Sequence, residues 1–95
     1  MTITELNLAA SSLLESHYGD VEVEGEISRF IKHASGHWYF VLKDEKSSIS
    51  ATMFKSANSR INFDLKDGIK VLGRGKLNIY SPSGSYQINL SSLKL

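Results

Sequence analysis

Residues 21 to 28 read VEVEGEIS, and this alternation constrains the fold more than any other stretch of the chain. Val21, Val23, Gly25 and Ile27 take one set of positions; Glu22, Glu24, Glu26 and Ser28 take the other. A period of two gathers all three glutamates on one face and the apolar residues on the opposite one, as in a half-buried β-strand. That strand needs a core to cover it. The 95 residues, 41% of them hydrophobic, suit one compact domain and leave no room for a second. With no cysteine there is neither a disulfide framework nor a thiolate metal site, so packing alone must hold the core.

The other segments supply the covering. Thr2 followed by Glu5 fits a capping box, and Leu6, Ala9, Ala10, Leu13 and His17 share one face of a helix over about 2–18 that ends at Gly19. Trp38, Phe40 and Leu42 alternate with Tyr39, Val41 and Lys43 in a second strand. Ile49, Ala51 and Met53 alternate with Ser50, Thr52 and Phe54 in a third, with Asp44 to Ser47 as the turn between them. Residues 56–67 lose the alternation and read as a short helix or loop crossing to the fourth strand. That strand lies in GIKVLGRGKLNIY, where Gly73 and Gly75 let backbones approach closely; SPSG is a turn and SYQINL the returning strand.

Five strands, a crossover after the third and glycines in the fourth predict an all-β domain with one N-terminal helix. The expected architecture is the five-stranded Greek-key barrel known as the OB-fold, whose middle strands and loops bind oligonucleotides or oligosaccharides. The rival, an SH3-like barrel, needs neither so long a fourth strand nor a helix in the third connection. Charge is uneven along the chain: residues 1–26 carry six acids and no Lys or Arg, whereas the other sixty-nine carry eleven bases and four acids. Such a field gathers a polyanion on one side unless folding interleaves the charges. The segment from Leu6 to Leu14 is interrupted by Asn7, Ser11 and Ser12, so no signal or membrane segment is expected, and a reducing cytoplasm is the expected location.

The motifs point further. GEIS at Gly25 to Ser28, Phe30, SGHWYFVLKD at Ser35 to Asp44, Met53 with Phe54, Gly68 with Val71, and the Y-x-x-x-G-x-Y-Q of Tyr80 to Gln87 run through nearly the whole chain. Together they resemble the N-terminal domain of the exodeoxyribonuclease VII large subunit. The resemblance implies a module that grips single-stranded DNA for a much longer subunit. Its downstream catalytic domain would hydrolyse the strand to oligonucleotides, and a helical region would bind copies of the exonuclease VII small subunit. Leu95 falls about where such a module would finish, so 1–95 is expected to be a single domain separated from that catalytic part. The sequence departs from the family at Glu22, often aromatic, at Arg29, often asparagine, and at Ser83, often arginine; the last removes a cation from the final turn.

Capture of a single strand requires flat rings for base stacking and cations for phosphates on one shared face. If Phe40 and Leu42 point inward, Tyr39 and Lys43 point outward, and Phe54 emerges beside them on the third strand, followed by Lys55. Arg74 alternates outward between two glycines. The expected nucleic-acid-binding residues are therefore Phe30, Tyr39, Lys43, Phe54, Lys55, Arg74 and Tyr86, with Arg29, His37 and Tyr80 as further candidates. Phe54 and Tyr86 could instead pack beneath the helix or a loop. Trp38, at a strand end, either caps the barrel or stacks on a base, and its position favours the cap.

His17, His33 and His37 have no ligand partners at metal-site spacing, and no nucleophile–base pair is present, so no metal, cofactor or catalytic residue is expected in this chain. His37 is expected to donate a hydrogen bond to backbone or phosphate, and Asp44 to fix its own turn. Two other functions fit the residues: an OB module for structured RNA such as tRNA, and a docking module whose Tyr39 and Phe54 meet another protein or a second copy of the domain.

Overall fold

A computed structural model describes residues 1–95. Helix α1 (Ile3–His17) starts where Thr2 Oγ1 accepts the Glu5 N–H at 3.0 Å, which satisfies one orphan donor of its first turn. There follow β1 (Val21–Lys32), β2 (Trp38–Lys43), β3 (Ser48–Met53), a single-turn helix α2 (Lys55–Asn58), β4 (Lys70–Tyr80) and β5 (Ser85–Lys94). The strands close into a barrel in the order β1-β2-β3-β5-β4. All pairs are antiparallel except β3 with β5. This is the expected OB-fold with its leading helix.

Closure rests on β1, which serves two neighbours in succession. Val21 to Glu26 pair with Gly75 to Lys70 of β4, while Glu26 to Lys32 pair with Lys43 to Trp38 of β2. Past Ser28 the register of β1 against β2 slips, and Arg29 takes a left-handed φ of 52°. The residue inserted there is a β-bulge. The Phe30 N–H donates instead to Asp67 Oδ1 at 2.9 Å. The bulge resets the alternation, so Phe30 packs against the core on the same side as Ile27, and Ile31 points out.

Ile27, Phe40, Leu42, Ala51, Met53, Val71, Leu77, Ile88 and Leu90 are buried at alternating positions of their strands; Leu93 is turned inward by a register shift between β4 and β5, and Leu65 joins them from the irregular segment after α2. Burying side chains of this size stabilises by about 1.5–3 kcal/mol each, offset by chain entropy.

The docked face of α1 differs from the hydrophobic one expected. Leu6 and Leu13 are 51% and 61% exposed; Asn7, Ala10, Ser11 and Leu14 face the barrel instead. The cause is the edge of β4, which β1 covers only as far as Gly75. Beyond it, the Leu77 N–H donates to Tyr18 O at 3.0 Å and the Ile79 N–H to Ser11 Oγ at 3.0 Å. Asn7 Nδ2 donates to Ser81 O at 2.9 Å. Polar residues are buried here because they satisfy backbone groups that would otherwise be unpaired.

Two local devices fix the strands. At Gly75 an added Cβ would lie 2.1 Å from the backbone oxygen of Asn89, a distance no side chain can adopt. We expect Gly75→Ala to destabilise the domain by about 1–3 kcal/mol or more, as measured by urea denaturation. At the β2–β3 turn, Asp44 Oδ1 accepts the N–H groups of Lys46 and Ser47 at 2.9 and 2.8 Å. These bonds, that from Lys46 first, hold its carboxyl below the usual carboxylate range. A depressed folded-state pKa stabilises above the unfolded value and ceases to do so as pH falls through the folded one. Asp44→Ala should therefore lower the thermal midpoint at neutral pH, and the gap from wild type should narrow as the pH is taken below the carboxylate range.

Candidate nucleic-acid interface

Because Phe40 and Leu42 face inward, Tyr39 and Val41 of β2 face out, and so does His37 two residues earlier. Tyr39 lies opposite Thr52 of β3. Phe54, two residues on, falls past the strand: β3 ends at Met53, and Phe54 is the N-cap residue of α2, with Lys55 the first residue of that helix. Both were expected on the third strand; the strand stops at Met53 and the helix takes Phe54 as its N-cap.

Four rings gather in two pairs on this surface. The rings of His33 and Tyr39 meet edge to face with centroids 5.8 Å apart, and those of His37 and Phe54 are tilted at 4.9 Å. Tyr39 and Phe54 are 38% and 44% exposed, so each keeps ring surface open to solvent. Lys32 Nζ lies 5.6 Å from the ring centroid of Trp38, and Lys55 is exposed beside Phe54. Lys55 thus shares the β2–β3 surface with the rings, whereas Lys32 pairs with Trp38 and lies with it on the other side of the sheet, at the end of the core.

Backbone hydrogen bonds hold these rings in place. The His33 N–H donates to His37 O at 3.0 Å, closing the loop between β1 and β2. Gly36, at φ 90°, lets the Lys55 side chain cross it; a Cβ there would sit 2.9 Å from Lys55 Cδ. Asn58 Nδ2 donates to Gly36 O at 2.8 Å and to Met53 O at 3.1 Å. His37 Nδ1 accepts the Lys55 N–H at 3.0 Å, which puts the proton of the neutral ring on Nε2. His37 therefore accepts from backbone, where it was expected to donate.

Other expected residues lie apart from the rings. Phe30 is corrected from a stacking to a packing residue: its ring meets Trp38 edge to face at 5.2 Å and Phe40 at 5.9 Å, because the bulge turned it inward. Trp38 is half-buried against the core, in keeping with a cap. Lys43 sits at the far end of β2, its Nζ 3.6 Å from Glu26 Oε2, beside an open depression also lined by Glu24, Asp44 and Glu45. Arg74 Nε donates to Asp20 Oδ1 at 2.7 Å and lies opposite Glu22. Tyr86 is exposed but opposite Ile79, at the other end of the barrel from Phe54. Arg29 is exposed at the bulge, and Tyr80 at the end of β4.

His33 and Lys32 did not figure among the expected residues. Their signal was the pair of histidines flanking Ala34, Ser35 and Gly36, which a tight loop brings together at its base. The unevenness of charge is also reduced on folding, since Arg74 faces Glu22, and Lys43 and Lys70 both pair with the Glu26 position.

Comparison with known proteins bears on what such a surface is for. Residues 1–94 match the family model described as the OB-fold nucleic acid binding domain. The chain belongs to this family. It is 60% identical, over its whole length, to the exodeoxyribonuclease 7 large subunit of Campylobacter hominis, of which it covers 25%. It is 60% identical over 93% of its length to that of Campylobacter fetus, and 48% identical over 97% to that of a Nitratiruptor species, covering 23% and 22% of them. The resemblance read from GEIS and SGHWYFVLKD is thus borne out, and the chain spans about a quarter of the length of these curated relatives. Among solved structures it superposes on a chain from a replication protein A heterotrimer bound to ssDNA. That match has a TM-score of 0.63 and 14% identity and covers 80% of this chain and 56% of the other, a likeness of fold. No helix is long and apolar enough to cross a membrane.

In this OB-fold domain the placement of the rings depends on Asn58, whose removal leaves two carbonyls without their side-chain donor. We expect Asn58→Ala to cost about 1–3 kcal/mol in chemical denaturation and to speed amide exchange at Lys55.

Proposed function

We propose that this nucleic-acid-binding domain holds single-stranded DNA, without strong sequence preference, on the outer surface of β2 and β3. Tyr39 and Phe54 stack on bases, with His37 and His33 backing them, and Lys55 neutralises phosphate. The observation that carries this reading is the pairing of two partly open aromatic rings with an exposed lysine, Lys55, on a surface held by the Asn58 and His37 hydrogen bonds. Lys43, Arg74 and Tyr86 have no part in it, since the first two are already paired with acids and the third lies away from the rings. Binding of this kind needs no cofactor.

Within a chain as long as the exodeoxyribonuclease 7 large subunits, the module would deliver its strand to a hydrolase region beyond residue 95. The small subunit would engage that region and not this barrel, and the setting would be the cytoplasm. Structured RNA is the less favoured ligand, because open stacking rings suit unpaired bases.

The test is fluorescence anisotropy of labelled single-stranded DNA and RNA oligomers at two salt concentrations. Wild type should bind DNA with an affinity that falls steeply as salt rises. With each stacked base worth about 1–3 kcal/mol, the double variant Tyr39→Ala, Phe54→Ala should bind roughly thirtyfold or more weakly while its circular dichroism is unchanged. Absence of binding by wild type at low salt would sink the proposal and bring protein docking to the front.

A further inference from the structure

The outer surface of the barrel continues past the rings in a way the stacking face does not use. Strand register places Val41, Ser50, Gln87 and Asn78 side by side in one row across β2, β3, β5 and β4, and Tyr39, Thr52, Asn89 and Lys76 in the next. Bridge partners share a face, so Ser50, Thr52, Gln87, Asn89 and Asn78 form one continuous polar strip running from Tyr39 to Lys76. Three steps between strands make that about 14 Å.

The composition of this strip is unlike that of the outward face of β1, where three glutamates meet water. Its members are all neutral, three are carboxamides, and Gln87, Asn89 and Asn78 are only half-exposed. Its hydrogen bonding is also not closed within the protein: Thr52 Oγ1 and Asn78 Oδ1 are buried with no partner. Thr52 itself is 6% exposed, directly opposite Tyr39. Gln87 and Asn89, half-covered between stacking rings and an exposed lysine, suit the edges of nucleobases, because a carboxamide presents a donor and an acceptor together and matches adenine N6 and N7 bidentately; Asn78, whose Oδ1 is buried, has its amide N–H to offer.

Building on the single-strand reading, we propose that Asn78, Gln87 and Asn89 extend the site across β5 and β4 by hydrogen-bonding base edges, with Lys76 taking a phosphate at the far side. The strand then runs across the β-strands, stacked at Tyr39 and Phe54 and read at the amides. The consequence is a modest preference for adenine laid over a binding mode that is otherwise tolerant of sequence.

The test uses the 95-residue chain with oligo-dA and oligo-dT of equal length. Wild type should bind oligo-dA at least threefold tighter, and Gln87→Ala with Asn89→Ala should abolish that difference. Tyr39→Ala with Phe54→Ala should weaken both oligomers alike. Lys76→Gln should reduce the slope of log affinity against log salt by about 0.7. Side-chain amide NMR signals of Asn78, Gln87 and Asn89 in unsubstituted protein should shift on adding oligo-dA, a readout independent of whether any variant folds. Binding that the ring variant loses, while the amide signals stay still and the amide variant matches wild type, would overturn the strip and leave the stacking face standing. No binding by wild type would remove both.

Discussion

Everything in this barrel depends on one strand serving two neighbours. β1 gives its first half to β4 and its second half to β2, and Glu26 belongs to both ladders. A straight strand cannot do this while keeping its apolar side inward, and the chain inserts the bulge at Arg29. An added Cβ at Gly25 would come within 3.2 Å of the Lys43 carbonyl, which shows how near β2 lies where the two ladders meet. The cost of the bulge is one N–H taken out of the ladder, and Asp67 accepts it from the far side of the crossover. Closure, strand bending and the placement of the loop before β4 are therefore one mechanical arrangement.

The ring surface is a product of that same arrangement. The bulge turns Phe30 inward against Trp38, and these two rings close the end of the core beneath the loop that carries His33 and His37. α2 then fastens that loop through Asn58 and the Lys55 N–H. The rings that face solvent rest on rings that do not. A surface so supported would meet the proposed single strand with little reordering of its own, which is how a small contact area can still give useful affinity.

The sequence was most legible where side chains report directly on burial. VEVEGEI, WYFVLK and the glycines of β4 disclosed the strands and the close approach at Gly75, and the order of elements disclosed the barrel. It was least legible where a backbone group decided the outcome. Nothing in Ser28, Arg29 and Phe30 announces a left-handed residue, yet that one dihedral removes Phe30 from the outer face. Ser11 and Asn7 looked like interruptions of the apolar run from Leu6 to Leu14, but Ser11 is buried and Asn7 half-buried because the unpaired edge of β4 needs them. Lys43 and Arg74 read correctly as outward, but alternation cannot show that Glu26 and Asp20 stand beside them. Pattern finds which side a residue faces; partners from distant strands settle what it can do there.

The seam between β3 and β5 has a kinetic meaning. It is the one parallel ladder, it spans only three residue pairs, and it joins Ser50–Thr52 to Gln87–Asn89, segments far apart in the chain. The ladders β1–β2, β2–β3 and β4–β5 can form between strands joined by a short connection, but this one, like β1–β4, closes a long loop, and it must also wait for the final strand. Until it does, the edge of β3 stays bare, with Ser50 and Thr52 unpaired on that side. A chain still lacking this ladder is an open sheet whose exposed edge runs through the middle of the proposed binding surface, so a late act of folding is also one that assembles that surface.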